Sequence, residues 1–108
     1  MKTKEEYANK DRVETHKIIC NELNEIYKNK NQNYGNSYAK TRRVMGRKAF
    51  LVRMMDKMHR LENMILNKDP DLVGESIEDT ILDMANYCIM ERVESVFTKN
   101  QDYIEEEG

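Results

Sequence analysis

Glu75, Asp79 and Asp83 recur at four-residue steps, which at ~100° per residue sets them in one row along a helix, joined by Asn86. Three carboxylates in a row repel one another. A helix keeps them if they are solvated, paired with bases or holding a metal. Ile77, Ile81, Met84 and Cys88 line nearly the opposite face. Continued toward the C-terminus, the acidic line runs into Met90, Val93 and Phe97, side chains that water does not favour. The carboxylate face is therefore expected to be covered by another helix or by a second subunit, and covered carboxylates need counter-charges or a divalent cation. Glu22 and Glu25 share a face of an earlier helix. Brought opposite Asp79 and Asp83 they would make an oxygen-rich cage of the kind that holds Mg²⁺ inside helical bundles.

A basic row matches the acidic ones. Arg53, Lys57 and Arg60 follow at i, i+4 and i+7. They can serve as salt bridges to the acidic helices. They can equally serve as a phosphate clamp, because arginine presents a bidentate fork to phosphate oxygens and lysine a point charge. Lys40, Arg42, Arg43, Arg47 and Lys48 form a second basic cluster, read as a solvated face or as a contact to nucleic acid or nucleotide phosphate. His16 and His59 lack ligand-spaced partners, no serine sits in a nucleophile elbow, and there is no glycine-rich phosphate loop.

The elements that must position these groups are helical. Charged residues make up 35% of the chain and hydrophobic ones 39%, with one proline and four glycines among 108 residues, a balance that favours helices. Apolar residues at three- and four-residue steps predict helices over roughly 5–29, 38–66 and 74–98, the second weakened at Gly46. The run from Lys28 to Ser37 reads as a loop, and Asn67, Lys68, Asp69 and Pro70 read as a helix stop. This is an all-α bundle in one domain over 1–98, with an acidic, flexible tail at 99–108. Three helices make a marginal core at this length, and the second is apolar over much of its girth, so completion as a homo-oligomer is expected.

With 18 basic and 20 acidic side chains, the formal net charge is −2. No overall field draws such a chain to nucleic acid or to an acidic membrane. No stretch reaches the ~20 apolar residues of a membrane span, and the opening residues lack a signal-peptide core. A cytoplasmic location is expected, with Cys20 and Cys88 as buried free thiols.

Three blocks in order resemble one family: Asn33-Tyr34-Gly35-Asn36-Ser37, then Asp56-Lys57-Met58-His59-Arg60-Leu61, then Glu75-Ser76-Ile77-Glu78-Asp79-Thr80 through Asp83-Met84-Ala85-Asn86-Tyr87. They look like the phage-associated nucleotide modification associated domain 1 family, which implies a phage or bacterial setting and nucleotide metabolism. The carboxylate pattern is also similar to MazG-like all-α nucleoside triphosphate pyrophosphohydrolases. That likeness implies Mg²⁺ on Glu22, Glu25, Asp79 and Asp83, with Glu25 and Asp83 as catalytic candidates. Here the second pair is spaced by four residues where that family uses three. Phosphates would meet Arg53, Lys57 and Arg60, and the base would lie near Tyr34 or Asn86. Two readings without chemistry stand beside hydrolysis: a phage protein that sequesters a nucleotide, and a module that docks another protein.

Overall fold

The computed structural model describes residues 10–30, 35–67 and 76–97. Among them the chain is helical throughout, in the order α1 (Arg12–Lys30), α2 (Gly35–Met45), α3 (Lys48–Glu62), a π-helical turn (Asn63–Asn67) and α4 (Ile77–Phe97). Local chemistry sets the ends. The Asp11 carboxylate accepts the Glu14 N–H at 2.8 Å and starts α1 at Arg12, so Lys10 and Asp11 lie outside the helix expected over 5–29. Ser76 Oγ accepts the Asp79 N–H at 2.9 Å and starts α4, where Glu78 and Asp79 suit the positive end of the helix dipole.

Among the described residues four α-helices stand where three were expected, because the predicted helix over 38–66 is broken. Gly46 takes φ 68°, a left-handed conformation open to glycine at little cost, and its N–H closes α2 by donating to the Arg42 carbonyl at 2.8 Å. Gly35, Asn36 and Ser37, read from sequence as loop, form the first turn of α2. The tail at 99–108 and Tyr34 lie outside the described residues.

Helix α4 is the spine, with α1, α2 and α3 all packed on it. The apolar core is thin: Leu23, Tyr38, Ala49 and Met90 are the buried hydrophobic residues among those described. Beside them Arg42, Thr80, Asn86, Glu91 and Ser95 are buried as well. Burial on α4 thus does not follow a simple apolar-inside rule. Met90 is buried as expected, whereas Ile81, Ile89, Val96 and Phe97 are exposed. Cys20 and Cys88 are free thiols, but exposed rather than buried. No helix among the described residues is long and apolar enough to cross a membrane.

Candidate functional site

A polar seam runs between α4 and the α2–α3 pair. Its closed end is built around Glu91. Tyr38 Oη donates to Glu91 Oε1 at 2.6 Å. Arg42 Nε donates to the same oxygen at 3.0 Å, and Arg42 Nη2 to Oε2 at 2.9 Å, a bidentate fork. Arg47 Nε lies 3.2 Å from Oε2, and its Nη2 donates to Ser95 Oγ at 3.1 Å. The left-handed turn at Gly46 is what lets arginines on either side of it converge on one carboxylate. With Arg42 at 2% side-chain exposure and Glu91 at 11%, this pair is a strut across the interior. Burial, and the charge of Glu91 beside it, push the Tyr38 hydroxyl well above the ordinary phenol range. It stays protonated as a donor.

The open end begins with Arg53. Its guanidinium carbon lies 5.5 Å from the centroid of the Tyr38 ring and 5.7 Å from that of Tyr87, and the two rings are 5.8 Å apart. Cation–π contact of this kind holds an arginine head in place at ~0.5–2 kcal/mol, depending on desolvation. One helical turn on, Lys57 Nζ donates to Asp83 Oδ2 at 3.2 Å, and both side chains are partly buried. Arg53 and Lys57, with Val52, Asp56 and Tyr87, line a cleft of about 240 Å³. Sites that enclose a drug-sized molecule run to ~300–1,000 Å³. This cleft is smaller than that.

The expected site residues divide accordingly. Arg53 and Lys57 come together at the cleft, Asp83 borders it through Lys57, and Arg60 is half-buried farther along the same side of α3. Glu25 is exposed and pairs with Lys28 at 3.4 Å. Glu22 is half-buried, and Asp79 is exposed in the first turn of α4. Glu22, Glu25, Asp79 and Asp83 are not gathered into a cage: no group of three or more His, Cys, Asp or Glu side chains among the described residues could hold a metal ion. Asn86 is buried, and its amide donates to the Leu23 carbonyl at 3.2 Å, tying α1 to α4.

Glu91, Arg42 and Tyr38 were not singled out as a unit by the sequence reading. A signal was there. The row of Asp79 and Asp83 continues at four-residue steps through Tyr87, Glu91 and Ser95, and since four residues overshoot a 3.6-residue turn by ~40°, it winds from exposed Asp79 to buried Glu91 and Ser95; Glu75 lies outside the described residues.

Compared with known families, the chain matches nucleotide modification associated domain 1 over residues 30–95. It belongs to that family. The matched span takes in α2, α3 and nearly all of α4, and so both ends of the polar seam. No curated protein and no solved structure matches the chain.

Proposed function

We propose that this member of the nucleotide modification associated family binds a nucleotide through its phosphates, with Arg53 and Lys57 as the anion-binding pair and Tyr87 as the aromatic wall beside them. The observation that carries the reading is the cleft itself. Two cations of different geometry converge on one small hollow, one of them steadied by tyrosine rings. Arg60 extends the positive side for a longer phosphate chain.

Asp83 gives the cleft its second character. A bare phosphate at Lys57 would meet the Asp83 carboxylate, and a magnesium ion between them turns that repulsion into attraction. Mg²⁺ is commonly held by one or two carboxylates together with substrate phosphates, and Asp83, with Asp56 on the cleft lining, would hold it here. When bound, the ion supplies charge neutralisation. The chain's own residues do the rest: Lys57 and Arg53 orient the phosphates, and the Tyr38 and Tyr87 rings hold the Arg53 head.

Sequestration is favoured over hydrolysis, because Glu22, Glu25, Asp79 and Asp83 do not come together in one chain as a group of three or more carboxylates able to hold the metal that would activate water. Titration calorimetry over ribo- and deoxynucleotides with one to three phosphates, with and without Mg²⁺, tests the proposal. Affinity is expected to rise with phosphate number and to fall in Lys57→Met. Absence of binding across the panel would overturn it. Product release that is lost in Asp83→Asn would replace sequestration by pyrophosphohydrolysis at the same cleft.

A further inference from the structure

Helix α3 carries an apolar stripe that none of the described residues covers. Leu51, Val52, Met55 and Met58 are 57%, 52%, 62% and 47% exposed, and they share one side of the helix with Lys48 at its start and with His59 and Glu62 at its end. A hollow of about 710 Å³ runs along this stripe. Single exposed apolar residues call for no explanation, but a contiguous row on one helix face does.

The order of residues within the stripe points to its occupant. If two copies of α3 lie antiparallel about a two-fold axis at Met55, each position meets the one equally far on the other side of residue 55. Met55 then meets Met55, Val52 meets Met58, Leu51 meets His59, and Lys48 meets Glu62. Both ends of the row are thereby satisfied by opposite charges. Lys48 and Glu62 are exposed, and neither is engaged in an ion pair among the described residues. A face complementary to itself under a two-fold is what an isologous dimer requires. In a parallel arrangement Lys48 would face Lys48 and Glu62 would face Glu62. The flexible thioethers of Met55 and Met58 suit a seam that must close on its own image.

We propose that the protein forms a two-fold dimer through this stripe, α3 against α3 in antiparallel register, with the ion pair Lys48–Glu62 made twice. The dimer has a consequence for the cleft. Val52 and Asp56 line both the apolar hollow and the cation-lined cleft, so the second copy, bringing its Met58 over Val52, supplies a wall to the open side of the cleft. The nucleotide would lie at the edge of the dimer interface. This second part rests on the nucleotide reading above, whereas the interface stands without it.

Sedimentation equilibrium of the full chain tests the interface. A dimer is expected, lost by about a hundredfold or more in dimer affinity in Met55→Glu, which sets two carboxylates face to face on the axis, with helix content by circular dichroism unchanged. Lys48→Glu and Glu62→Lys alone should each weaken the dimer by about tenfold, two pairs being lost at once, and the double exchange should restore it. In a chain with Cys20→Ser and Cys88→Ser, Met55→Cys should form a disulfide-linked dimer under mild oxidation. A monomer at all concentrations, or a dimer indifferent to Met55→Glu and unrescued by the exchange, would overturn the proposal. A dimer that passes these tests yet binds no nucleotide keeps the interface and refutes the ligand reading. Loss of nucleotide affinity in Met55→Glu alongside loss of the dimer would support the shared wall.

Discussion

The two ends of the polar seam use the same residue types for different ends. At Glu91 an arginine fork, a tyrosine hydroxyl and a second arginine meet one carboxylate out of reach of water. At Asp83 one lysine meets one carboxylate beside an open cleft, with Arg53 held against tyrosine rings and not against an acid. The first arrangement aims its donors inward at one buried carboxylate, so it fixes how α2, α3 and α4 sit together. The second leaves cation donors at the surface of a hollow. Burial and pairing, and not residue type, separate a strut from a site.

Breaking the closed end should have the largest effect. Glu91→Ala leaves Arg42 buried without its counter-charge and is expected to destabilise the fold by ~3–5 kcal/mol, read as a lowered midpoint in urea. The same substitution at Asp83, a partly exposed carboxylate whose partner Lys57 keeps 15% of its side-chain surface in water, should cost less, ~1–2 kcal/mol. Equal losses at the two positions would erase the distinction. Lys57→Met should do the opposite of Glu91→Ala, leaving the urea midpoint nearly unchanged while weakening nucleotide binding by about 10–100-fold, as the loss of a charge-assisted hydrogen bond implies. Tyr38→Phe removes one of several donors to Glu91 and should cost ~1–2 kcal/mol of stability. The smallest effect is expected from Arg53→Lys, which keeps the charge but loses the planar head that spreads over two rings; about 1 kcal/mol of nucleotide affinity should go with it, seen by calorimetry.

The helical class was legible from periodicity alone, and so were the capacity of Gly46 to break the second helix and the possibility that the basic row of α3 forms salt bridges to the acidic helices, of which Lys57–Asp83 is one. What could not be read was which face of α4 turns inward. Ile77, Ile81, Met84 and Cys88 make the more apolar line, yet Ile81 and Cys88 are exposed while Thr80, Asn86, Glu91 and Ser95 are buried. The reason is that a buried polar residue is tolerated once its partners are present, and two partners of Glu91, Tyr38 and Arg42, lie some fifty positions earlier, on α2. Periodicity along one helix carries no information about such distant pairings. The carboxylate cage of Glu22, Glu25, Asp79 and Asp83 was drawn from spacing within each helix, and the way α1 lies on α4 decides whether such pairs meet.

The cleft at Arg53 and Lys57 is the centre of the account, and residue-resolved NMR of the isotope-labelled protein, titrated with a Mg²⁺–nucleoside triphosphate, tests it most directly. Amide shifts should concentrate at Val52 to Lys57 and at Asp83 to Tyr87, with the amides of Arg42 and Glu91 changing least. Shifts centred on the Glu91 end, or no shifts at saturating nucleotide, would contradict it.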